Sequence, residues 1–315
     1  MTEATQAVPV RAESPGQRIV AGLLRSVTRA TVMTTFRAGR PVEQQRRRLG
    51  YLARLSLPPR GVSFTPGDLG GIPGEWVEVP GQSAARLGLL YLHGGGYCVG
   101  TPATHRTITG HLAARCAARV FAVDYRLAPE HPFPAALDDA AAAARAWLQG
   151  GLDARDLVIA GDSAGGGLTL ALALTLRDSG LPLPRALVLF SPFVDLTLGH
   201  LPPPPSGEVM LTRPWLEECS RAYLAGRDPL DPLVSPIAAD LRGLPPTLLQ
   251  AGTDELLLGD SRRLFQGLQK AGVPARLEVY PRRWHVFQLN AGLLADADRA
   301  LDAVARFVLE TPVTP

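Results

Sequence analysis

The fold of this chain is decided by residues 157–170, which read LVIAGDSAGGGLTL. Four apolar residues, typical of a buried strand, run directly into a G-x-S-x-G turn, and a helix-forming run follows at once. A serine at so sharp a turn needs a strained backbone, and a glycine two residues to either side removes the Cβ clashes. The turn also puts Ser163 at a helix N-terminus, which favours negative charge. The pattern predicts a nucleophile. The alternative is a glycine-rich turn with an incidental serine, which gives the same sequence pattern.

On both sides of this turn, apolar strand-like runs alternate with helix-length segments. Near-continuous apolar runs are typical of strands that helices cover on both faces. The pattern predicts strands at 87–92, 120–123, 157–160, 186–190, 247–250 and 276–280, a weaker edge strand at Trp76–Val79, and helices at 104–118, 135–149, 164–179 and 260–272. This order indicates an α/β fold with a mostly parallel central sheet flanked by helices.

Two segments lie outside this alternation. Ser14, Pro15 and Gln17 have the pattern of a capping box, and a helix is predicted from residue 15 to about 36. A second helix is predicted at 41–55, whereas the insertion 195–225 is interrupted by a proline run. The first helix places seven apolar residues on one face: Ile19, Val20, Leu23, Leu24, Val27, Ala30 and Met33. We expect residues 1–55 and 195–225 to form a helical cap over a catalytic domain of residues 56–194 and 226–315.

Composition excludes several classes of protein. The 315 residues are 46% hydrophobic and 19% charged, which is enough apolar material for a core and excludes a disordered or fibrous chain. Neither a transmembrane helix nor a signal peptide is visible, so a cytoplasmic location is expected. A net charge of +3 is too mild to indicate nucleic-acid binding, and we interpret Arg46–Arg48 as a solvated helix face. The three cysteines have unrelated spacings, which indicates neither a disulfide framework nor a zinc site.

A second glycine-rich stretch, HGGG at residues 93–96, follows the predicted strand 87–92. Consecutive glycines allow backbone amides to point at a ligand, and acyl transfer needs donors about 2.7–3.1 Å from the developing oxyanion. We predict that Gly95, Gly96 and Ala164 supply these donors. A phosphate cradle is the alternative, but the Gly-Lys-Ser/Thr of a P-loop does not follow.

A nucleophilic serine also needs a histidine base and an acid, in the chain order serine, acid, histidine. Only His200 and His285 follow Ser163, and His200 lies in the predicted cap, so His285 is the predicted base. Asp254 comes just after the predicted strand 247–250 and is the predicted acid. Glu255, its neighbour, is the alternative.

Three motifs together resemble those of the bacterial hormone-sensitive-lipase-like carboxylesterases, often called family IV. They are YLHGGGY at 91–97, DYRLAPEHPFPAA at 124–136 and GDSAGG at 161–166. The resemblance runs from about residue 85 to the C-terminus. It implies an α/β-hydrolase fold with a helical cap, a triad of Ser163, Asp254 and His285, and an oxyanion hole of Gly95, Gly96 and Ala164. One departure is Val286, where many members have glycine beside the base.

The expected activity is hydrolysis of short- to medium-chain acyl esters through an acyl-enzyme, with no metal and no cofactor. The expected partner is a small-molecule ester, with no nucleic acid and no stable membrane association, because an apolar helix face is usually buried against its own domain. A homodimer is left open. A lactone or amide hydrolase with the same triad and a non-catalytic ligand-binding member of the fold are the alternatives. Candidate substrate contacts, for which ordinary packing is the alternative, are Tyr97, Cys98, Trp215 and Val286.

Overall fold

The computed structural model describes residues 6–7, 14–81 and 87–312, so residues 1–5 and 8–13 of the expected N-terminal cap lie outside the described residues. Within these ranges one sheet of nine strands has the order β1-β9-β8-β7-β6-β4-β5-β3-β2. Strands β2 and β3 are antiparallel to their neighbours, and all other pairs are parallel. The strands are β1 Gln6–Ala7, β2 Ser63–Leu69, β3 Ile72–Glu78, β4 Gly88–Leu92, β5 Arg119–Val123, β6 Leu157–Asp162, β7 Ala186–Phe190, β8 Thr247–Gly252 and β9 Ala275–Tyr280.

The mostly parallel sheet confirms the predicted fold class. Every residue of β4, β6, β7 and β8 is buried, which explains why these strands read as unbroken apolar runs. Strand β2 was not predicted, because it contains Pro66 and Gly67 and lies at the edge of the sheet with four exposed residues.

Helices cover the sheet, and the predicted ones are present with shifts of a few residues at their ends. The C-terminal helix was not among the predictions, although its buried residues, such as Ala297, Leu301 and Val308, recur at helical spacing. It packs against the helix that follows β4. The helices of the sheet region are α3 Arg106–Cys116, α4 Ala135–Gln149, α5 Ala164–Asp178, α7 Leu258–Lys270 and α8 Ala295–Glu310.

The remaining helices are α1 Pro15–Thr28, α2 Val42–Ala53 and α6 Arg213–Leu224. Ser14 caps α1 as predicted, since its hydroxyl accepts from the Gln17 amide at 3.3 Å. The Gln17 side chain accepts from the Ala295 amide instead, so the second half of the capping box is not formed. A π-helical segment, Arg29–Met33, continues α1, and Phe36 beyond it stacks on Trp215 of α6 with ring centroids 4.3 Å apart. The N-terminal helices therefore pack against the insertion; the exact domain boundaries stay a prediction.

The apolar face of α1 is not buried in the way the sequence predicts. Ile19, Leu23 and Val27 are exposed, whereas Leu24 is half-buried and Ala21, which lies outside the predicted face, is buried. Within the described ranges, no helix combines the length and the hydropathy needed to cross a bilayer.

Candidate active site

Ser163 lies at the turn between β6 and α5, and its backbone is strained there as predicted. Its φ of 52° and ψ of −119° fall in a region that residues with a Cβ rarely adopt. A Cβ on Gly161 would collide with the carbonyl of Gly165, and a Cβ on Gly165 would collide with the carbonyl of Leu92. Both glycines are therefore required for the turn, which holds the serine at the N-terminus of α5.

The glycine loop after β4 has backbone amides available for a ligand. The Gly94 amide is already used, because it donates to Oδ1 of Asp162 at 3.0 Å. Within residues 14–81 and 87–312, the amides of Gly95, Gly96 and Ala164 have no hydrogen-bond acceptor. The loop turns through positive φ values of 122° at Gly95 and 60° at Gly96, which only glycine adopts without strain. Such amides are the donors that an oxyanion requires.

Asp162 is buried and ties the serine turn to the glycine loop. Its Oδ1 also accepts from the Tyr91 hydroxyl at 2.7 Å, and its Oδ2 lies 3.3 Å from Nε2 of His105. Burial opposes charge on both groups, but their mutual attraction prevails; it lowers the pKa of Asp162 and raises the pKa of His105. A buried ion pair therefore lies directly under the loop that carries the free amides.

His93 organises the same loop. Its Nδ1 donates to the carbonyl oxygen of Gly94 at 2.8 Å, and its ring stacks on Tyr125 with centroids 4.3 Å apart. Burial, together with the neighbouring His105, lowers the pKa of His93 to about 3, so the imidazole is neutral. It is not among the residues that line the cavity above Ser163.

The structure brings His285 to the same cavity as Ser163. Burial lowers the pKa of His285 to about 4, so the ring is neutral near pH 7 and able to accept a proton. Its Nδ1 is buried and has no hydrogen-bond partner within the described part of the chain. A histidine base needs an acid at this atom to hold the correct tautomer.

Glu255 is a buried acid linked to the segment of His285. Its Oε2 accepts from the Gly252 amide at 3.0 Å and from the Ser191 hydroxyl at 2.8 Å. The Ser191 oxygen in turn accepts from the amide of Val286, the residue after the histidine, at 3.1 Å. The other oxygen, Oε1, is buried without a partner among the described residues. Burial raises the pKa of Glu255 to about 8.

Asp254, the acid that the sequence favours, has different partners. Its Oδ2 accepts from Arg25 of α1 at 2.8 Å, and its Oδ1 accepts from the Thr253 hydroxyl at 2.9 Å. Gly207 of the insertion packs so closely that a Cβ there would collide with this carboxylate. Asp254 thus joins the N-terminal helix and the insertion to the end of β8, and among the described residues no hydrogen bond connects it to His285.

A cavity of about 250 Å³ lies above Ser163 and His285. Two of the predicted substrate contacts, Trp215 and Val286, line it. Further lining residues were missed, since a helical period in the sequence does not show what a helix packs against. From the N-terminal helices and the insertion they are Thr28, Val32, Phe36, Leu49, Leu52, Ala53, Ser56, Met210 and Leu211.

The other two predicted contacts, Tyr97 and Cys98, do not line this cavity. The Tyr97 ring stacks on Tyr223 of α6 with centroids 3.8 Å apart. The Cys98 sulfur lies 3.9 Å from the carbonyl oxygen of Cys219, also on α6. Both side chains pack between the glycine loop and α6, so the structure does not place either of them at this cavity.

The site has the parts of a serine acyl-transfer centre: a strained serine, a neutral histidine, a buried acid and free amides. Among the described residues, no group of histidine, cysteine, aspartate or glutamate side chains is arranged to hold a metal ion.

Comparisons with known proteins identify a family and several relatives. A family model described as the alpha/beta hydrolase fold matches residues 89–289. An acetyl-hydrolase of Streptomyces hygroscopicus is 40% identical over 84% of this chain and 90% of that protein. An esterase of Acinetobacter venetianus is 36% identical over 90% of this chain and 93% of that protein.

Solved structures are similar over nearly the whole chain. One, described as a hormone-sensitive lipase from a metagenome library, has a TM-score of 0.87 and 38% identity, covering 94% of this chain and 98% of its own. Another, an esterase from the bacterial hormone-sensitive lipase family, has a TM-score of 0.84 and 35% identity, covering 96% and 99%.

Proposed function

This chain belongs to the α/β-hydrolase family, among its bacterial hormone-sensitive-lipase-like carboxylesterases, and we propose that it cleaves short- to medium-chain acyl esters at Ser163. It is an esterase. The name of one relative, acetyl-hydrolase, supports a small acyl group. A cavity of about 250 Å³ also supports a small acyl group, because it has little room for a long chain.

The mechanism begins with attack of the Ser163 hydroxyl on the ester carbonyl while Nε2 of His285 takes the serine proton. The amides of Gly95, Gly96 and Ala164 hold the oxyanion. Protonated His285 then gives its proton to the leaving alcohol. Water, activated by the same histidine, releases the acid from the serine. The mechanism uses no metal and no cofactor.

We assign the orienting acid to Glu255 in place of Asp254. One observation carries this assignment: Oε1 of Glu255 and Nδ1 of His285 are both buried without a partner among the described residues. Ser191 connects the two segments, since it donates to Glu255 and accepts from the amide after His285. A bond from Nδ1–H to Oε1 satisfies both orphaned atoms, and unsatisfied buried polar atoms each cost about 1–3 kcal/mol.

Replacement of Ser163 by alanine tests the function. We expect loss of p-nitrophenyl acetate hydrolysis with an unchanged circular dichroism spectrum, because the small side chain leaves the turn intact. An active-site-directed phosphonate is expected to form an adduct on Ser163 in the wild-type protein and none in the variant. A variant that retains near-wild-type turnover contradicts the mechanism, and failure of the wild type to be labelled favours a non-catalytic member of the fold.

A substrate panel separates the remaining alternatives. We expect p-nitrophenyl esters from acetate to hexanoate to be cleaved with higher kcat/KM than the decanoate, a lactone or the matching p-nitroanilide. A preference for the lactone or the anilide assigns the same machinery to those substrates instead. A cytoplasmic location stays a prediction of the sequence, and the homodimer stays open.

A further inference from the structure

The N-terminal helices expose an unusual number of apolar side chains. On α1, Ile19, Leu23 and Val27 recur at every fourth residue and are 57–64% exposed. The second group is Tyr51, Leu55 and Leu57, on α2 or just after it, which are 58–76% exposed. A stripe with this spacing is normally covered by its own domain, so its exposure indicates an interaction.

The same part of the chain is strongly basic. Residues 14–60 contain ten arginines and one acid, Glu43, so they carry a net charge of +9, whereas the whole chain carries +3. The remaining residues are therefore acidic overall. Some of these arginines face the protein, as in the ion pair of Arg46 with Glu130. Others are exposed beside the exposed apolar residues of α2: Arg47 and Arg48 on the helix and Arg54 directly after it.

This surface borders the cavity of the active site. On α1, Val27 precedes Thr28, which lines the cavity, and on α2 Tyr51 precedes Leu52, which lines it too. Leu55 stands in the same way next to Ser56, another lining residue. Three residues of this surface are therefore sequence neighbours of residues that line the cavity.

We propose that this surface, defined by Ile19, Leu23, Val27, Tyr51, Leu55 and Leu57 with Arg47, Arg48 and Arg54, docks reversibly on an anionic lipid surface. Helices that carry exposed apolar residues together with arginine lie in the interface of anionic membranes, where burial and charge attraction add. A second copy of the chain is disfavoured as the occupant, because a symmetric contact brings two faces of like charge together. A soluble polyanion is disfavoured because it leaves the apolar residues in water.

Vesicle sedimentation with the full chain tests the proposal. We expect the protein to bind vesicles of phosphatidylcholine with phosphatidylglycerol and to remain in solution with phosphatidylcholine alone. The triple variant Ile19→Ser/Leu23→Ser/Val27→Ser and the double variant Arg47→Glu/Arg48→Glu are each expected to lower the partition coefficient at least about tenfold.

Matched variants elsewhere control for loss of hydrophobicity and of charge. Leu230, Leu293 and Leu309 are 46–62% exposed, and the triple serine variant at these positions is expected to bind as the wild type does. Arg262 and Arg306 are exposed on α7 and α8, and the double variant Arg262→Glu/Arg306→Glu changes the net charge by the same amount as Arg47→Glu/Arg48→Glu. All variants should cleave soluble p-nitrophenyl acetate at the wild-type rate, because none of these residues lines the cavity.

Several results overturn the proposal: no binding of the wild type to either vesicle, equal binding to both, or equal losses in the surface and control variants. If the serine variant instead changes the sedimentation equilibrium mass, the stripe is a contact between copies. If it binds vesicles as the wild type does, or if duplex DNA abolishes vesicle binding by the wild type, the surface is a polyanion site.

Discussion

Replacement of Glu255 by glutamine is expected to remove most of the esterase activity while the fold survives. The substitution exchanges one buried oxygen for an NH2 group and keeps the shape of the side chain. Oε2 of Glu255 accepts from Gly252 and Ser191, so the amide oxygen of glutamine takes that place and its NH2 group points toward His285. An NH2 group only donates to Nδ1, which leaves the imidazole proton on Nε2, where the base must be free.

The size of the effect follows from the wrong tautomer. An equivalent acid-to-amide change in a serine protease lowers kcat by about ten-thousandfold, and we expect a decrease of about a thousand- to ten-thousandfold here. This corresponds to about 4–5 kcal/mol of transition-state stabilisation.

Asp254→Asn is the matched control, because it makes the same chemical change one residue earlier. Asp254 pairs with Arg25, and the two side chains are 22% and 30% exposed, so the pair contributes no more than about 1 kcal/mol to stability. We expect the activity of this variant to stay within about threefold of the wild type.

The assay is kcat/KM for p-nitrophenyl acetate above pH 8, with thermal unfolding followed by circular dichroism for both variants. If Asp254→Asn loses a thousandfold and Glu255→Gln keeps its turnover, Asp254 is the acid and the assignment to Glu255 is refuted. Comparable losses in both folded variants also refute it.

Four further outcomes are expected. Burial raises the pKa of Glu255 to about 8. The protonated carboxyl lacks the negative charge that stabilises the imidazolium, so activity should rise with pH toward about 8, and a pH–rate profile with its half-maximum near pH 6 contradicts this. Ser191→Ala removes a hydrogen-bond donor to the Glu255 carboxylate, so the rise in activity should move to higher pH. An unchanged pH–rate profile contradicts a role of this hydrogen bond in setting the pKa of Glu255. Asp162→Asn leaves His105 buried without its counter-charge and should lower the free energy of unfolding by about 3 kcal/mol in urea titrations; a change under about 1 kcal/mol contradicts this. Trp215→Ala removes part of the cavity wall together with the stacking on Phe36. The ratio of kcat/KM for p-nitrophenyl decanoate to that for the acetate should therefore rise, and an unchanged ratio contradicts the assignment of Trp215 to the acyl-binding wall.

The local conformation of the serine turn was predictable from sequence because its causes are local. Unbroken apolar runs mark strands buried on both faces, and Gly161 and Gly165 flank a serine that only a strained turn accommodates. The position of His285 was predictable for a related reason: the carboxyl ends of parallel strands meet at one edge, so loops that follow them share one site.

Which of Asp254 and Glu255 faces inward could not be predicted from the sequence. The two acids are neighbours in one turn, and no period of the sequence shows which of them faces inward. The partner of Asp254 is Arg25, 229 residues earlier in the chain, and the contact between them forms only when the N-terminal helix packs on the loop after β8.

The amino-acid sequence by itself determined the α/β fold, the strained serine and the loop of free amides, because these depend on residues within one turn or one strand. Tertiary structure alone decided which of the two neighbouring acids is buried, which residues wall the cavity, and that Ile19, Leu23 and Val27 remain exposed to solvent. The reason is that a helical period shows which residues share a face, whereas burial depends on what a distant segment places against that face.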